Sequence, residues 1–99
     1  MKSKLSEIQI IPVKPQNGLV AFASFVLDNN LYLGSIGIVT RPNGGYRLVY
    51  PTKRVTPDRS LNIFYPINKE FAKLVENKII KRLEEVMNQE NDRYNRSNS

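Results

Sequence analysis

Ninety-nine residues, 40% of them apolar and 24% charged, suffice for one small core and leave no room for a second domain. The chain has no cysteine and no histidine, which excludes disulfides, thiolate nucleophiles, zinc fingers and histidine-based triads outright. A formal charge of +6 points to an anionic partner, nucleic acid or an acidic surface, with simple solubility as the plainer reading.

Met1-Lys2-Ser3-Lys4 is basic, but the apolar stretch behind it is short and broken by Gln9 and Pro12, unlike a signal peptide. Residues 7–13 place Ile8, Ile10 and Val13 in imperfect alternation, and Pro15-Gln16-Asn17-Gly18 supplies a turn. Residues 19–27 are apolar on both faces: Val20, Phe22 and Val26 on one, Leu19, Ala21, Ala23, Phe25 and Leu27 on the other. A strand buried on both faces sits centrally in its sheet. The run is too short to insert in a membrane as a helix. Asp28-Asn29-Asn30 turns the chain into residues 31–40, where Gly34 and Gly37 mark a bulge or the close approach of another backbone. Arg41-Pro42-Asn43-Gly44-Gly45 contains the Asn-Gly hairpin signal. Tyr46, Leu48 and Tyr50 then alternate with Arg47 and Val49. Short turns between successive strands imply an antiparallel meander.

Pro51-Thr52-Lys53-Arg54 ends that run with two adjacent cations, and Thr56-Pro57-Asp58 is a turn signal. Leu61-Asn62-Ile63-Phe64-Tyr65 reads as a further strand, closed by Pro66-Ile67-Asn68. From Lys69 to about Gln89 the period becomes 3.6. Phe71, Val75, Ile79, Leu83 and Val86 form one stripe, widened by Ala72 and Met87, and Asn68 is placed to cap the helix. Residues 91–99 are polar and read as a disordered tail beyond a single domain of residues 1–90. The expected fold is α+β, an antiparallel β-meander of about five strands packed against one long C-terminal α-helix. One helix covers one face of a sheet. The remaining apolar surface calls for a second subunit, hence a homodimer, or for a sheet curled on itself.

Between residues 41 and 59, Arg41, Arg47, Lys53, Arg54 and Arg59 stand against a single acid, Asp58. Cations on a loop hold phosphates by charge-assisted hydrogen bonds; the plainer reading is a solvated loop. On the helix, Lys78, Lys81 and Arg82 project along one edge of the stripe, with Glu85 placed to pair with Lys81 or Arg82. The other edge mixes Lys69, Lys73, Glu76 and Glu84. A one-sided basic ridge suits a nucleic-acid backbone, whereas stems snorkelling around a packed helix give the same pattern. Tyr32, Tyr46, Tyr50 and Tyr65 suit base stacking if exposed and cross-strand packing if not. The acids are scattered singly, so no paired-carboxylate catalysis is expected, and no metal or cofactor site either.

The order Pro51-Thr52-Lys53-Arg54, then Asp58, an isoleucine-containing strand, Pro66-Ile67-Asn68 and a helix resembles the SpoVG family of bacterial septation and regulatory proteins. Ala23-Ser24 and Leu27-Asp28 match the same family, and the resemblance covers about residues 6–87. Arg59 departs from it where a glycine is usual, as do Asn62 and Tyr65 where aspartate and histidine are common. The resemblance implies a cytoplasmic bacterial regulator that binds DNA, and RNA as a further ligand, in septation and sporulation control. Lys53, Arg54, Arg59, Lys78, Lys81 and Arg82 are then the expected contacts to the DNA or RNA backbone. The alternative is a non-enzymatic protein-interaction module acting on cell-division or signalling partners, its basic surface incidental. Salt dependence separates the two, because phosphate binding releases counterions and a hydrophobic contact does not.

Overall fold

Short turns set the course of the chain. Asn17 and Gly18 take positive φ values of 53° and 88°, the mirror-type geometry that reverses a strand with the correct twist. They join β1 (Leu5–Gln16) to β2 (Leu19–Leu27), with Gln16 paired to Leu19 across the turn. Asp28 and Asn29, at 50° and 58°, lead into β3 (Leu31–Thr40). Asp28 also fastens the beginning of β1. Its Oδ1 accepts the Lys4 amide at 2.8 Å, and its own amide donates to the Lys4 carbonyl at 2.8 Å. A glycine hairpin through Gly44 and Gly45 leads to β4 (Tyr46–Val49). The computed structural model describes residues 2–97, with side chains described through residue 89.

The four strands form one open antiparallel sheet in the order β1-β2-β3-β4, so the doubly apolar 19–27 segment lies inside it as expected. Helix α1 (Lys69–Ser97) crosses one face, packing mainly on β1. Ala21, Ala23 and Phe25 of β2 and Ile36 and Ile38 of β3 meet Val75, Ile79 and Leu83 of the helix, all of them buried. The small alanines let the helix approach closely, and Phe25 fills the space beside them. Asn68 caps α1 as the sequence predicts, its Oδ1 accepting the Phe71 amide at 3.0 Å. The helix backbone runs to Ser97, past the expected end near Gln89. The tail expected over 91–99 falls where side chains lie outside the described residues, as does the backbone of residues 98–99.

The sequence reading is corrected between Pro51 and Tyr65. Thr52–Thr56, read as a basic loop, is strand β5, and its partner β6 is Arg59–Asn62, earlier than the strand expected at 61–65. The two form a separate antiparallel ribbon, so the strands number six. β-Branched Thr52, Val55 and Thr56 favour an extended backbone. Periodicity could not reveal it, because every residue of both strands is exposed and neither face is apolar. The Ile63 amide donates to the Pro51 carbonyl at 3.0 Å and closes the base of the ribbon. Phe64 then turns back onto Tyr50, edge to face with ring centroids 6.0 Å apart, which ends the strand.

The face of the sheet opposite α1 is uncovered. Ile11, Phe22, Gly37 and Val49 stand in one register across all four strands. Ile11, Phe22 and Val49 are 60%, 38% and 42% exposed. Gly37 in this row is covered by Leu19, whose Cδ1 would lie 3.3 Å from an added Cβ, so the position has no room for a side chain without a shift. The sheet is open-sided, since β1 and β4 stay unpaired edges and do not close it into a barrel.

Candidate nucleic-acid interface

Successive residues of a strand project to opposite sides, and residues paired across two strands share one side. Lys53 pairs with Leu61 and Arg54 with Ser60, so the adjacent cations are divided between the two faces of the ribbon. Thr52 pairs with Asn62, which joins both to the Arg54 face. Arg59 alternates with Ser60 and falls on the Lys53 face with Leu61. A bulge between Arg54 and Thr56 sets Val55 out of register and increases the local twist. Neither ion pair found among the described residues involves Lys53, Arg54 or Arg59. All three are exposed and available to an anion.

The helix cations lie elsewhere. Lys78 and Lys81 are exposed, and Arg82 Nη1 sits 3.4 Å from Glu85 Oε2, the pairing the sequence predicts. An exposed pair of this kind contributes little to stability but removes part of the positive field. The other flank of α1 turns towards the β3–β4 end of the sheet. There Glu76 Oε1 lies 3.6 Å from Arg41 Nη2, and the Tyr46 hydroxyl donates to Met87 Sδ at 3.7 Å. Leu74, one turn before Lys78, lines a depression with Lys2 and Ser3 at the start of the chain. Helical geometry thus sets Lys78, Lys81 and Arg82 on the flank of α1 away from Glu76, while the ribbon follows β4 in the chain. Arg41, counted with the basic cluster, is engaged by Glu76, a contact between distant segments that no local pattern announces.

Of the tyrosines, Tyr46 and Tyr50 are packed against the core, whereas Tyr32 and Tyr65 are 68% and 55% exposed. Burial, followed by the nearby Glu76 carboxylate, pushes the Tyr50 hydroxyl up to about 12 from its ordinary 10.0. The folded state therefore holds this proton more tightly than the unfolded chain. Its contribution is complete below pH 10.0 and is lost as the pH rises through about 12. The wild type should lose on the order of 1 kcal/mol more stability than Tyr50→Phe across that window, after discounting for partial solvent access. Urea unfolding of both proteins at either end of the window measures the difference; a wild type that gains stability there contradicts it.

Among the described residues, no group of acids is placed to hold a metal ion. No helix among them is long and apolar enough to cross a membrane. No curated protein sequence shows significant similarity to the chain. The SpoVG family model, by contrast, matches residues 3–85. That span takes in the whole four-stranded sheet, the ribbon and the buried helix residues Val75, Ile79 and Leu83. The chain therefore belongs to the SpoVG family, a non-enzymatic regulatory family associated with septation and sporulation.

Proposed function

We propose that the protein is a cytoplasmic regulator that binds DNA, with RNA as a further ligand, and that it acts as a homodimer. The observation that carries this reading is the ribbon: an exposed arm with Lys53, Arg54 and Arg59 free of ion pairs and only Asp58 to oppose them. Lys78, Lys81 and Arg82 form a second cationic strip, on α1. A second subunit is what would allow both strips to follow one duplex. Titration of duplex DNA, single-stranded DNA and RNA at two salt concentrations tests the reading. Each phosphate contact on duplex DNA contributes a slope of about −0.9 in log K against log salt. Absent or salt-independent binding would instead favour the protein-interaction reading.

The open face of the sheet supports the homodimer, because the Ile11–Phe22–Val49 row has nothing over it. Sedimentation equilibrium at micromolar concentration should give about twice the 11.4 kDa chain mass. Phe22→Asp, which puts a charge into the middle of that row, should shift the distribution to monomer while the fold persists. A wild type that sediments as a monomer, or a Phe22→Asp variant that stays a dimer, rules out this face as the contact.

A further inference from the structure

The ribbon has two chemically different faces. Thr52, Arg54, Ser60 and Asn62 make one of them wholly polar, by direct cross-strand pairing of Thr52 with Asn62 and Arg54 with Ser60. Lys53, Thr56, Arg59 and Leu61 lie on the other, with Leu61 directly across from Lys53 and beside Arg59 along β6. A surface built only to sit on a phosphate backbone has no use for this segregation. Base edges in the major groove are read by such a polar set: arginine to guanine, asparagine to adenine, serine and threonine to either. A two-stranded ribbon fits that groove, which is about 12 Å wide. Strands of five and four residues extend roughly 15 Å along it. The fold leaves the arm free to enter, since all of its residues are exposed and its ties to the body are at its base.

We infer that the β5–β6 ribbon enters the major groove of duplex DNA with its Thr52–Arg54–Ser60–Asn62 face on the base edges. This rests on the nucleic-acid reading above and adds to it the groove, the strand state and a division of labour. Arg54 and Asn62 select sequence. Lys53 and Arg59, on the outward face at the two edges, reach with long stems to the phosphates that wall the groove. Leu61, across from Lys53 on that outward face, touches no base.

The test uses one duplex in two forms, ordinary and with every cytosine replaced by glucosylated 5-hydroxymethylcytosine, whose sugars fill the major groove. The corresponding single strand is the third probe, and fluorescence anisotropy at fixed salt reads all three. The wild-type chain should bind the filled duplex at least about tenfold more weakly than the ordinary one. Arg54→Ala with Asn62→Ala should bind the ordinary duplex at least about tenfold more weakly and narrow the gap between the two duplexes, because the base contacts are gone while the ribbon still seats Lys53 and Arg59; an unchanged gap overturns the base-reading face. Equal wild-type affinity for the two duplexes overturns the groove assignment and leaves nucleic-acid binding standing. Tighter binding to the single strand than to the ordinary duplex also overturns it. A folded Arg54→Ala, Asn62→Ala variant that sediments as a monomer beside a dimeric wild type would make the ribbon a subunit contact, which overturns it again. Failure of the wild type to bind any of the three probes removes this inference and the reading beneath it together.

Discussion

Phe25→Ala should lower the unfolding free energy by about 3–5 kcal/mol, the range for deleting a fully buried phenylalanine. Phe25 is 1% exposed near the end of β2, in one buried cluster with Ala21, Ala23, Val75 and Ile79. Its ring is the largest side chain fully enclosed in the core. The alanine-rich strand around it has no spare bulk with which to refill the space. For a domain with about 5–15 kcal/mol in total, such a loss brings a substantial unfolded population at room temperature. Urea denaturation followed by far-ultraviolet circular dichroism measures it. Leu61→Ala, on the exposed ribbon, should stay within about 0.5 kcal/mol of wild type. Similar losses from the two substitutions would mean that the ribbon packs on the core, contrary to its exposure.

Lys53→Ala with Arg59→Ala should weaken duplex binding roughly thirtyfold at about 0.15 M salt and flatten log K against log salt by nearly two units. Both residues lie on the same side of the ribbon and are free of ion pairs, so each can neutralise a phosphate without first breaking a contact. Phosphate contacts carry no sequence information, so all duplexes should weaken alike. Lys69→Ala with Lys73→Ala removes the same charge from the mixed flank of α1 and should change the slope much less. Equal losses from the two pairs would indicate a diffuse field effect with no defined site.

Where burial alternates with the chain's own geometry, the sequence was readable. The strands at 19–27 and 31–40, the turns at Asn17-Gly18 and Asp28-Asn29, the Asn68 cap and the stripe through Val75, Ile79 and Leu83 each leave a local signature. The uncovered face was legible too, because Phe22 belongs to the side of β2 that a single helix cannot reach. Ribbon strands buried on neither face leave no such signature. In residues 52–56 the Lys53-Arg54 pair drew attention as charge, while the backbone preference of Thr52, Val55 and Thr56 was the structural message. That preference also decides which way the cations point, so the division of Lys53 from Arg54 was out of reach without the strand. The Arg41–Glu76 pair and the Tyr46–Met87 hydrogen bond depend on contacts between distant segments. Composition and period are silent on both.

The ribbon's detachment from the core bears on how this chain can change over generations. Substitutions at exposed positions away from caps and networks shift stability by no more than about 0.5 kcal/mol, so most are tolerated by the fold. Ser60, Asn62 and Arg54 can therefore drift without drawing on the small margin that keeps the domain folded. The sheet and helix enjoy no such freedom, since Ala21, Ile36, Ile38 and Val75 are fully enclosed. Divergence within the arm should accordingly concentrate on β6, where Arg59 and Asn62 already depart from the family pattern, and chains with the same sheet and helix should differ first there. Grafting those residues between two such chains would transfer recognition and leave the melting temperature nearly unchanged.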